Sequence, residues 1–248
     1  TTVAGLLAGQ RRRQPGAGAH QCGRPVAVRG RGSPDLRPLG PDGQPHAEFA
    51  RACSFIRGEH DPKPAAVSLT NSTELGTTYS PDDVKAISNL IKPRGMKLHM
   101  DGARFANAVA GLGVTPAELT WKSGVDALSF GATKNGAMML EAVVFFDTNL
   151  ADDFIYRRMR GGQLVSKGRY LGGQMLAYLK DGLWLENARQ ANGLAAQLAE
   201  GLGTFKNIRI PNPVQANEVF AVMPRALNDK LLASGAKFYD WMPDSLGK

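Results

Sequence analysis

Cysteine, histidine and long apolar runs are all scarce in this sequence of 248 residues. The two cysteines, Cys22 and Cys53, form neither a Cys-x-x-Cys pair nor a disulfide framework, which argues against a zinc site and against secretion. No run approaches the roughly 18 apolar residues of a membrane-spanning helix. We therefore expect a globular cytoplasmic protein with no resident metal and no membrane partner, whose hydrophobic content of 43% suffices for a large core.

The first fifty residues differ in composition from the rest of the chain. They contain seven Arg, nine Gly and six Pro, but no Ile, Tyr, Trp, Met, Asn or Lys. With three acidic residues, this stretch carries +4 of the total net charge of +8. Such a composition buries too little apolar surface to offset the chain entropy that folding removes. We therefore predict that residues 1–52 are a separate disordered segment or the product of a shifted reading frame.

The positive charge also raises the question of a nucleic-acid partner. Its densest cluster is the run of three arginines at 11–13, and such clusters occur in nucleic-acid-binding tails. No aromatic side chains are interleaved with these arginines to stack on bases. We therefore expect no nucleic-acid partner.

Two short strand-like runs end in residues that can carry chemistry. Residues 96–100 alternate apolar and polar side chains with the two-residue period of a strand, and Asp101 follows at the carboxyl end. Residues 125–130 form a second apolar run, after which a tight, glycine-flanked turn presents Lys134. Ligands bind outside the carboxyl ends of strands in open α/β sheets, so Asp101 and Lys134 are expected to face one pocket if their strands are neighbours.

A lysine and a carboxylate in one pocket match the needs of pyridoxal phosphate. The lysine holds this cofactor covalently, and the carboxylate keeps the pyridine nitrogen protonated, so that the ring withdraws electrons from the substrate's α-carbon. Lys134 and Asp101 would fill these two roles. A turn aspartate and a solvated lysine would have the same spacing, so the pair by itself leaves both interpretations open.

Two motifs resemble those of a known family. Residues 98–105 read Leu-His-Met-Asp-Gly-Ala-Arg-Phe, and residues 129–136 read Ser-Phe-Gly-Ala-Thr-Lys-Asn-Gly. Together they resemble the low-specificity L-threonine aldolases and the related phenylserine aldolases, and the resemblance runs from about Phe55 to near the C-terminus. It implies the aspartate-aminotransferase-like fold (pyridoxal-phosphate fold type I), with a mostly parallel sheet. The implied domains are a cofactor-binding large domain at 53–200 and a small, truncated C-terminal α/β domain at 201–248.

The resemblance also implies roles for individual residues. Lys134 would bind pyridoxal phosphate covalently, Asp101 would pair with the ring nitrogen, and Arg104 would contact the ring oxygen or the substrate carboxylate. A surface ion pair is the alternative for Arg104. A basic, glycine-containing segment would reach the cofactor phosphate from a neighbouring subunit, which implies a homodimer or a homotetramer. The further cofactor contacts implied are Thr133, Arg158 and Lys167.

The implied activity is that of a carbon–carbon lyase acting on a small amino acid. The substrate would be a β-hydroxy-α-amino acid such as L-threonine, allo-threonine or phenylserine, and the products would be glycine and an aldehyde. Two alternatives stay open: another pyridoxal-phosphate-dependent lyase or transaminase, and a non-catalytic remnant of the fold. The intact pair of Asp101 and Lys134 favours an enzyme, whereas the composition of residues 1–52 favours a remnant.

Several elements around the motifs are also predicted. Ser80 followed by Pro81 indicates a helix start, and the apolar run after the lysine turn indicates an antiparallel return strand. Residues 183–202 predict a long helix with a core-facing leucine stripe that includes Leu194 and Leu198. His99 points to the same side of its strand as Asp101, so it either orients that carboxylate or is a buried core histidine. The C-terminal elements predicted are strands at 208–210 and 219–223 and a helix at 226–234.

Overall fold

A five-stranded sheet forms the centre of the computed structural model, which describes residues 26–30 and 64–239. Neighbouring strands follow the chain order, the first four run parallel, and the fifth runs antiparallel to the fourth. This confirms the predicted α/β class with a mostly parallel sheet and an antiparallel strand after the lysine turn. The strands are β1 (Val26–Gly30), β2 (Pro64–Thr70), β3 (Lys97–Gly102), β4 (Ala127–Gly131) and β5 (Glu141–Phe145).

Helices follow or separate the strands within the described residues. None of the helices there is long and apolar enough to cross a bilayer. They are α1 (Pro81–Ile91), α2 (Phe105–Leu112), α3 (Pro116–Leu119), α4 (Phe154–Arg160), α5 (Gly168–Leu179), α6 (Leu183–Gly203) and α7 (Arg225–Ala233).

Strand β1 differs from the prediction for the N-terminal segment. Val26–Gly30 pairs in parallel with β2, whereas the composition of residues 1–52 predicts disorder. The two valines are β-prone residues between two glycine- and proline-rich stretches, a local signal that the composition of the whole segment masks. The remainder of residues 1–52 lies outside the described part of the chain, and the division into three domains stays a prediction.

Helix α1 shows why the chain folds as a β-α-β unit between β2 and β3. The Ser80 side chain accepts the Asp83 backbone N–H, and the Asp83 carboxylate accepts the Ser80 N–H (2.8 Å), a reciprocal cap at the predicted start. The residues that the helix buries have the spacing of one helical face, and they pack against the sheet. They are Val84, Ile87, Ser88 and Ile91.

The core lies on the central strands. Leu98 and Met100 of β3 are fully buried, and His99 between them is only 4% exposed, so both faces of this strand are covered. Strand β5 lies at the edge of the sheet and is largely accessible. The residues at the carboxyl end of β3 are therefore held by a strand that cannot shift without disturbing the core.

Helix α6 forms where the long C-terminal helix was predicted, but its leucine stripe was assigned to the wrong side. Leu194 and Leu198 are 59% and 55% exposed, whereas Ala188 and Ala195 are buried. Small side chains face α2 because the two helices pack closely together, as the Asn107–Asn192 amide contact shows (3.0 Å). The leucines consequently form part of an apolar surface.

The C-terminal elements agree only in part with prediction. Helix α7 is present, but the two predicted strands reduce to a single antiparallel bridge between Arg209 and Val222. Prolines 211, 213 and 224 lie in or next to these stretches and cannot donate to a ladder, which explains why no continuous pair of strands forms.

Asp126 connects four elements at the start of β4. Its carboxylate accepts the backbone N–H of Leu98 (2.6 Å) and the Lys92 ammonium (2.5 Å), and its own N–H donates to the Leu98 carbonyl (2.8 Å). Its carbonyl accepts the N–H of Phe146 after β5 (2.8 Å). These bonds set the register of β3 beside β4, and Asp126 is only 7% exposed.

We expect Asp126→Ala to lower the free energy of unfolding by about 2–4 kcal/mol, because it leaves the buried Leu98 N–H without an acceptor. Lys92→Met is the control and is expected to cost about 1 kcal/mol at most, because this lysine is 37% exposed. Urea titration measures both variants. Equal losses would show that the ion pair, and not the backbone bond, carries the stability.

Candidate functional site

Asp101 lies at the carboxyl end of β3, where the loop after β2 meets the sheet. It is in register with Thr70 on one side and Ser129 on the other. The Asp101 carbonyl accepts the N–H of Asn71 (2.9 Å), and its carboxylate accepts the N–H of Ala103 (3.2 Å). The carboxylate is therefore held at the sheet edge where a ligand is expected.

Arg104 follows two residues after the strand and begins the turn into α2. Its Nη2 lies 2.7 Å from Oε1 of Glu218, and the two side chains are 22% and 20% exposed. Gly102 makes the close turn possible, because a Cβ at this position would lie 2.7 Å from the Ser129 carbonyl oxygen. The turn thus places the Arg104 guanidinium in an ion pair with Glu218, close in sequence to Asp101 and largely shielded from solvent.

Lys134 lies in a short 3₁₀ turn over Thr133–Asn135 that directly follows β4. The Thr133 hydroxyl donates to the Leu140 carbonyl (3.2 Å) and accepts the Leu140 N–H (2.9 Å), which closes the turn against the start of β5. Gly136 has a φ of +111°, a conformation that L side chains rarely adopt. The exposed Lys134 side chain is presented by a rigid loop, as the sequence predicts.

Asn135 fixes this turn to the helical layer. Its amide donates to the Tyr178 hydroxyl (2.6 Å) and to the Trp184 carbonyl (2.8 Å), and the Asn187 amide donates to the Asn135 carbonyl (3.1 Å). Trp184 in turn stacks on Phe105, with ring centroids 6.4 Å apart. Asn135 is only 7% exposed, so these bonds hold the residue next to Lys134 in one position.

His99 is a buried histidine bonded across the sheet. Its Nδ1 lies 2.8 Å from the Ser68 hydroxyl of β2, and its Nε2 lies 2.9 Å from the Ser129 hydroxyl of β4. The structure thus supports the interpretation of His99 as a buried core histidine. Its two hydrogen bonds connect β3 to β2 and to β4, close to the carboxyl ends of these strands.

The C-terminal part of the chain contributes one more carboxylate. We call residues Gln215–Glu218 the crossing segment, because they lie against the loop that follows β2. The Thr78 N–H donates to Oε1 of Gln215 (2.9 Å), and a Cβ on Gly76 would lie 2.9 Å from the Glu218 carbonyl oxygen. Glu218 therefore reaches Arg104 from a closely packed backbone.

The charges around Glu218 show which groups the fold brings together. Burial raises the pKa of the Glu218 carboxyl group, the nearby positive charges of Arg104 and Lys134 act to lower it, and Glu74 adds to the rise. Glu74 itself accepts a hydrogen bond from Thr70 at the end of β2 (3.3 Å). The site therefore combines two cations with three carboxylates, counting Asp101.

Not all the predicted site residues are brought to this edge. Arg158 in α4 and Lys167 before α5 are exposed, and the one side-chain bond found for them joins Lys167 to Ser166 (3.5 Å). Within the described part of the chain, neither contacts Asp101, Arg104 or Lys134. The Thr133 hydroxyl is engaged with Leu140, and its contact with a cofactor stays a prediction, as do the other residue roles.

Glu218 is the site residue that the sequence interpretation missed. The only local signal is a single acid inside the run Val-Gln-Ala-Asn-Glu-Val-Phe-Ala-Val. Nothing in that spacing connects it to Arg104, because the contact depends on how the crossing segment packs on the β2 loop. The described residues contain no group of three or more His, Cys, Asp or Glu side chains that could hold a metal ion.

Comparison with known proteins identifies the family of this chain. The family model described as beta-eliminating lyase matches residues 16–226, which is most of the chain. The chain belongs to the beta-eliminating lyase family. The match begins well before Phe55, so the family resemblance extends into the N-terminal segment that composition set apart.

Relatives of this chain are named threonine aldolases. It is 47% identical over 183 residues to a low specificity L-threonine aldolase of a Pseudomonas species and 48% identical over the same length to that of Pseudomonas aeruginosa, covering 74% of this chain and 53% of each relative. A solved Leishmania major threonine aldolase is 30% identical with a TM-score of 0.70, covering 75% of this chain and 54% of that one. The chain thus has the fold of the pyridoxal-phosphate-dependent enzymes of fold type I. It spans about half the length of the curated relatives it matches.

We expect Asn135→Ala to lower the free energy of unfolding by about 1–3 kcal/mol, because it removes the side-chain hydrogen bonds to the buried Tyr178 hydroxyl and to the Trp184 carbonyl. Tyr178→Phe removes a single one of these bonds and is expected to cost about 1 kcal/mol. Chemical denaturation measures both. A larger loss in Tyr178→Phe than in Asn135→Ala would contradict the proposed anchoring of the lysine turn.

Proposed function

We propose that this protein cleaves L-threonine to glycine and acetaldehyde with pyridoxal phosphate, and that it accepts allo-threonine and phenylserine by the same reaction. The observation that carries the proposal is the placement of Asp101 at the carboxyl end of β3 and of Lys134 in the turn after the adjacent parallel strand β4, in a chain 47% identical over 183 residues to a low specificity L-threonine aldolase. This edge is where ligands bind in open α/β sheets.

The residues at this edge fit the cofactor. Lys134 offers an accessible amine on a rigid turn, and Asp101 offers a carboxylate held by a backbone N–H. The buried Oε2 of Glu218 has no hydrogen-bond partner among the described residues, so the site also has an unused polar group. An amine for a covalent bond, a carboxylate for a ring nitrogen and a guanidinium for an anion are the groups that this chemistry requires.

Each residue then has a defined task. Pyridoxal phosphate, when bound, supplies a ring that stabilises the negative charge left on the α-carbon when the Cα–Cβ bond breaks. Lys134 would hold the cofactor covalently through its amine. Asp101 would keep the ring nitrogen protonated, and Arg104 would bind the substrate carboxylate. Thr133 supports the lysine turn at the cofactor.

The test compares Asp101→Asn and Lys134→Ala with the parent protein. Lys134→Ala should lose the visible absorbance band of lysine-bound pyridoxal phosphate and all glycine formation from threonine. Asp101→Asn should keep the band but lose turnover on the order of 10²-fold, because the ring nitrogen is no longer held protonated. Spectra after dialysis and a glycine assay measure these changes.

Lys180→Ala is the matched control, because it removes an exposed lysine from the turn between α5 and α6. It should keep both the band and the activity. Keto-acid formation without glycine would instead identify a transaminase. A protein whose band does not depend on Lys134 would contradict the proposed function.

We also propose that copies of this chain associate as a homodimer or a homotetramer. Helices α4 and α5 and the segment between them expose large apolar side chains, including Tyr170 (67%) and Leu176 (77%). Gln174 of α5 accepts the Met138 N–H of the lysine turn (3.0 Å), so this apolar surface adjoins the site. Arg158 and Lys167 lie in the same surface, and in an oligomer they would reach a neighbouring copy's cofactor phosphate.

Leu176→Asp should shift the protein to monomers, because burying a charge in an apolar interface is costly. Leu232→Asp is the matched control: Leu232 is also exposed (42%) but lies on α7. Light scattering coupled to size-exclusion chromatography measures the mass of each variant. An unchanged oligomer in Leu176→Asp would exclude this surface as the interface.

A further inference from the structure

Glu218 enters the candidate site on a backbone that other contacts hold in place. Besides the bond from Thr78, the Gln215 N–H donates to the Gly76 carbonyl (3.4 Å), and a Cβ on Gly111 would lie 2.2 Å from the Gln215 carbonyl oxygen. Ala216 is 1% exposed. The position of the Glu218 backbone therefore does not depend on its ion pair with Arg104.

The ion pair itself uses one oxygen of the carboxylate. Arg104 Nη2 contacts Oε1 of Glu218 at 2.7 Å, whereas Oε2 is buried and has no donor among the described residues. Guanidinium–carboxylate pairs are strongest when two parallel hydrogen bonds form. A carboxylate that leaves one buried oxygen unpaired is a comparatively weak partner for Arg104.

A small carboxylate ligand is free of this constraint. It can turn both oxygens towards the guanidinium, and it would compete with Glu218 for the same N–H groups. The negative charge of Glu218 also repels such a ligand, while Glu74 adds a second negative charge nearby. Lys134 is the further cation whose charge acts on Glu218.

We propose that Glu218 is a specificity-determining residue, which holds the Arg104 guanidinium in position while reducing its affinity for a bare carboxylate. Only a ligand with further contacts at the site, such as an amino acid that also reacts through its amine, would then be retained. The proposal rests on the proposed function in one respect, namely that Arg104 receives the substrate carboxylate.

The test uses Glu218→Gln and propionate. Glutamine keeps the size of the side chain and an oxygen acceptor for Arg104 but removes the charge, and propionate has a carboxylate but no amine. Propionate is titrated into the pyridoxal-phosphate-treated protein, and its dissociation constant is obtained from the rise in melting temperature. We expect the dissociation constant to fall roughly three- to tenfold in Glu218→Gln.

Two controls make the result specific. Asp147→Asn removes the same charge from an ion pair with Lys97 (2.7 Å). Lys97 lies at the amino end of β3, away from the candidate site, so this variant should leave propionate affinity unchanged. Adding Arg104→Gln to Glu218→Gln should abolish the gain. If Glu218→Gln is too unstable to purify, Glu218→Asp, which shortens the side chain and withdraws its carboxylate, must give the gain instead.

Unchanged or weaker propionate binding in the Glu218 variant would overturn the proposal, as would an equal gain in Asp147→Asn. Because propionate forms no bond with the cofactor, this result does not require the lysine-dependent absorbance band. A missing band together with a clear propionate gain would refute the proposed aldolase activity and leave the role of Glu218 intact.

Discussion

The parallel pairing of β3 with β4 is the constraint on which the site depends. Asp126 sets that pairing at one end of the strands, through its bonds with the backbone of Leu98. At the other end, the same register brings Asp101 beside Ser129, four residues before Thr133, where the lysine turn begins. One buried aspartate thus fixes the pairing of β3, which carries Asp101, with β4, which leads into the Lys134 turn.

The fold around this pair was largely predictable because its signals are local. The Ser80 cap, the alternation before Asp101 and the apolar run after Lys134 each depend on neighbouring residues, and each element formed where expected. The leucine stripe of α6 was misassigned because helical periodicity identifies an apolar face without saying what covers it. In this chain the buried face is made by alanines, since α2 approaches closely.

Only the site residues that lie in the two motifs at 98–105 and 129–136 could be predicted from the sequence. Asp101 lies at the end of β3, and Arg104 and Lys134 lie in the turns that follow β3 and β4, so their placement comes with the sheet. Glu218 depends on a segment far along the chain packing onto the loop after β2, for which no spacing rule exists. Two features of the fold therefore determine the site. The order of the strands positions Asp101 and Lys134, and the packing of the crossing segment on the β2 loop positions Glu218.

The most direct test of this account is reductive trapping with pyridoxal phosphate and borohydride, followed by peptide mass mapping. The account predicts one stoichiometric modification, located on Lys134, because the turn that Asn135 fixes presents this amine after β4, the strand that pairs with the Asp101 end of β3. A modification on another lysine, or one spread over many exposed lysines, would contradict it. Either of these results would mean that the ends of β3 and β4 do not form the cofactor site.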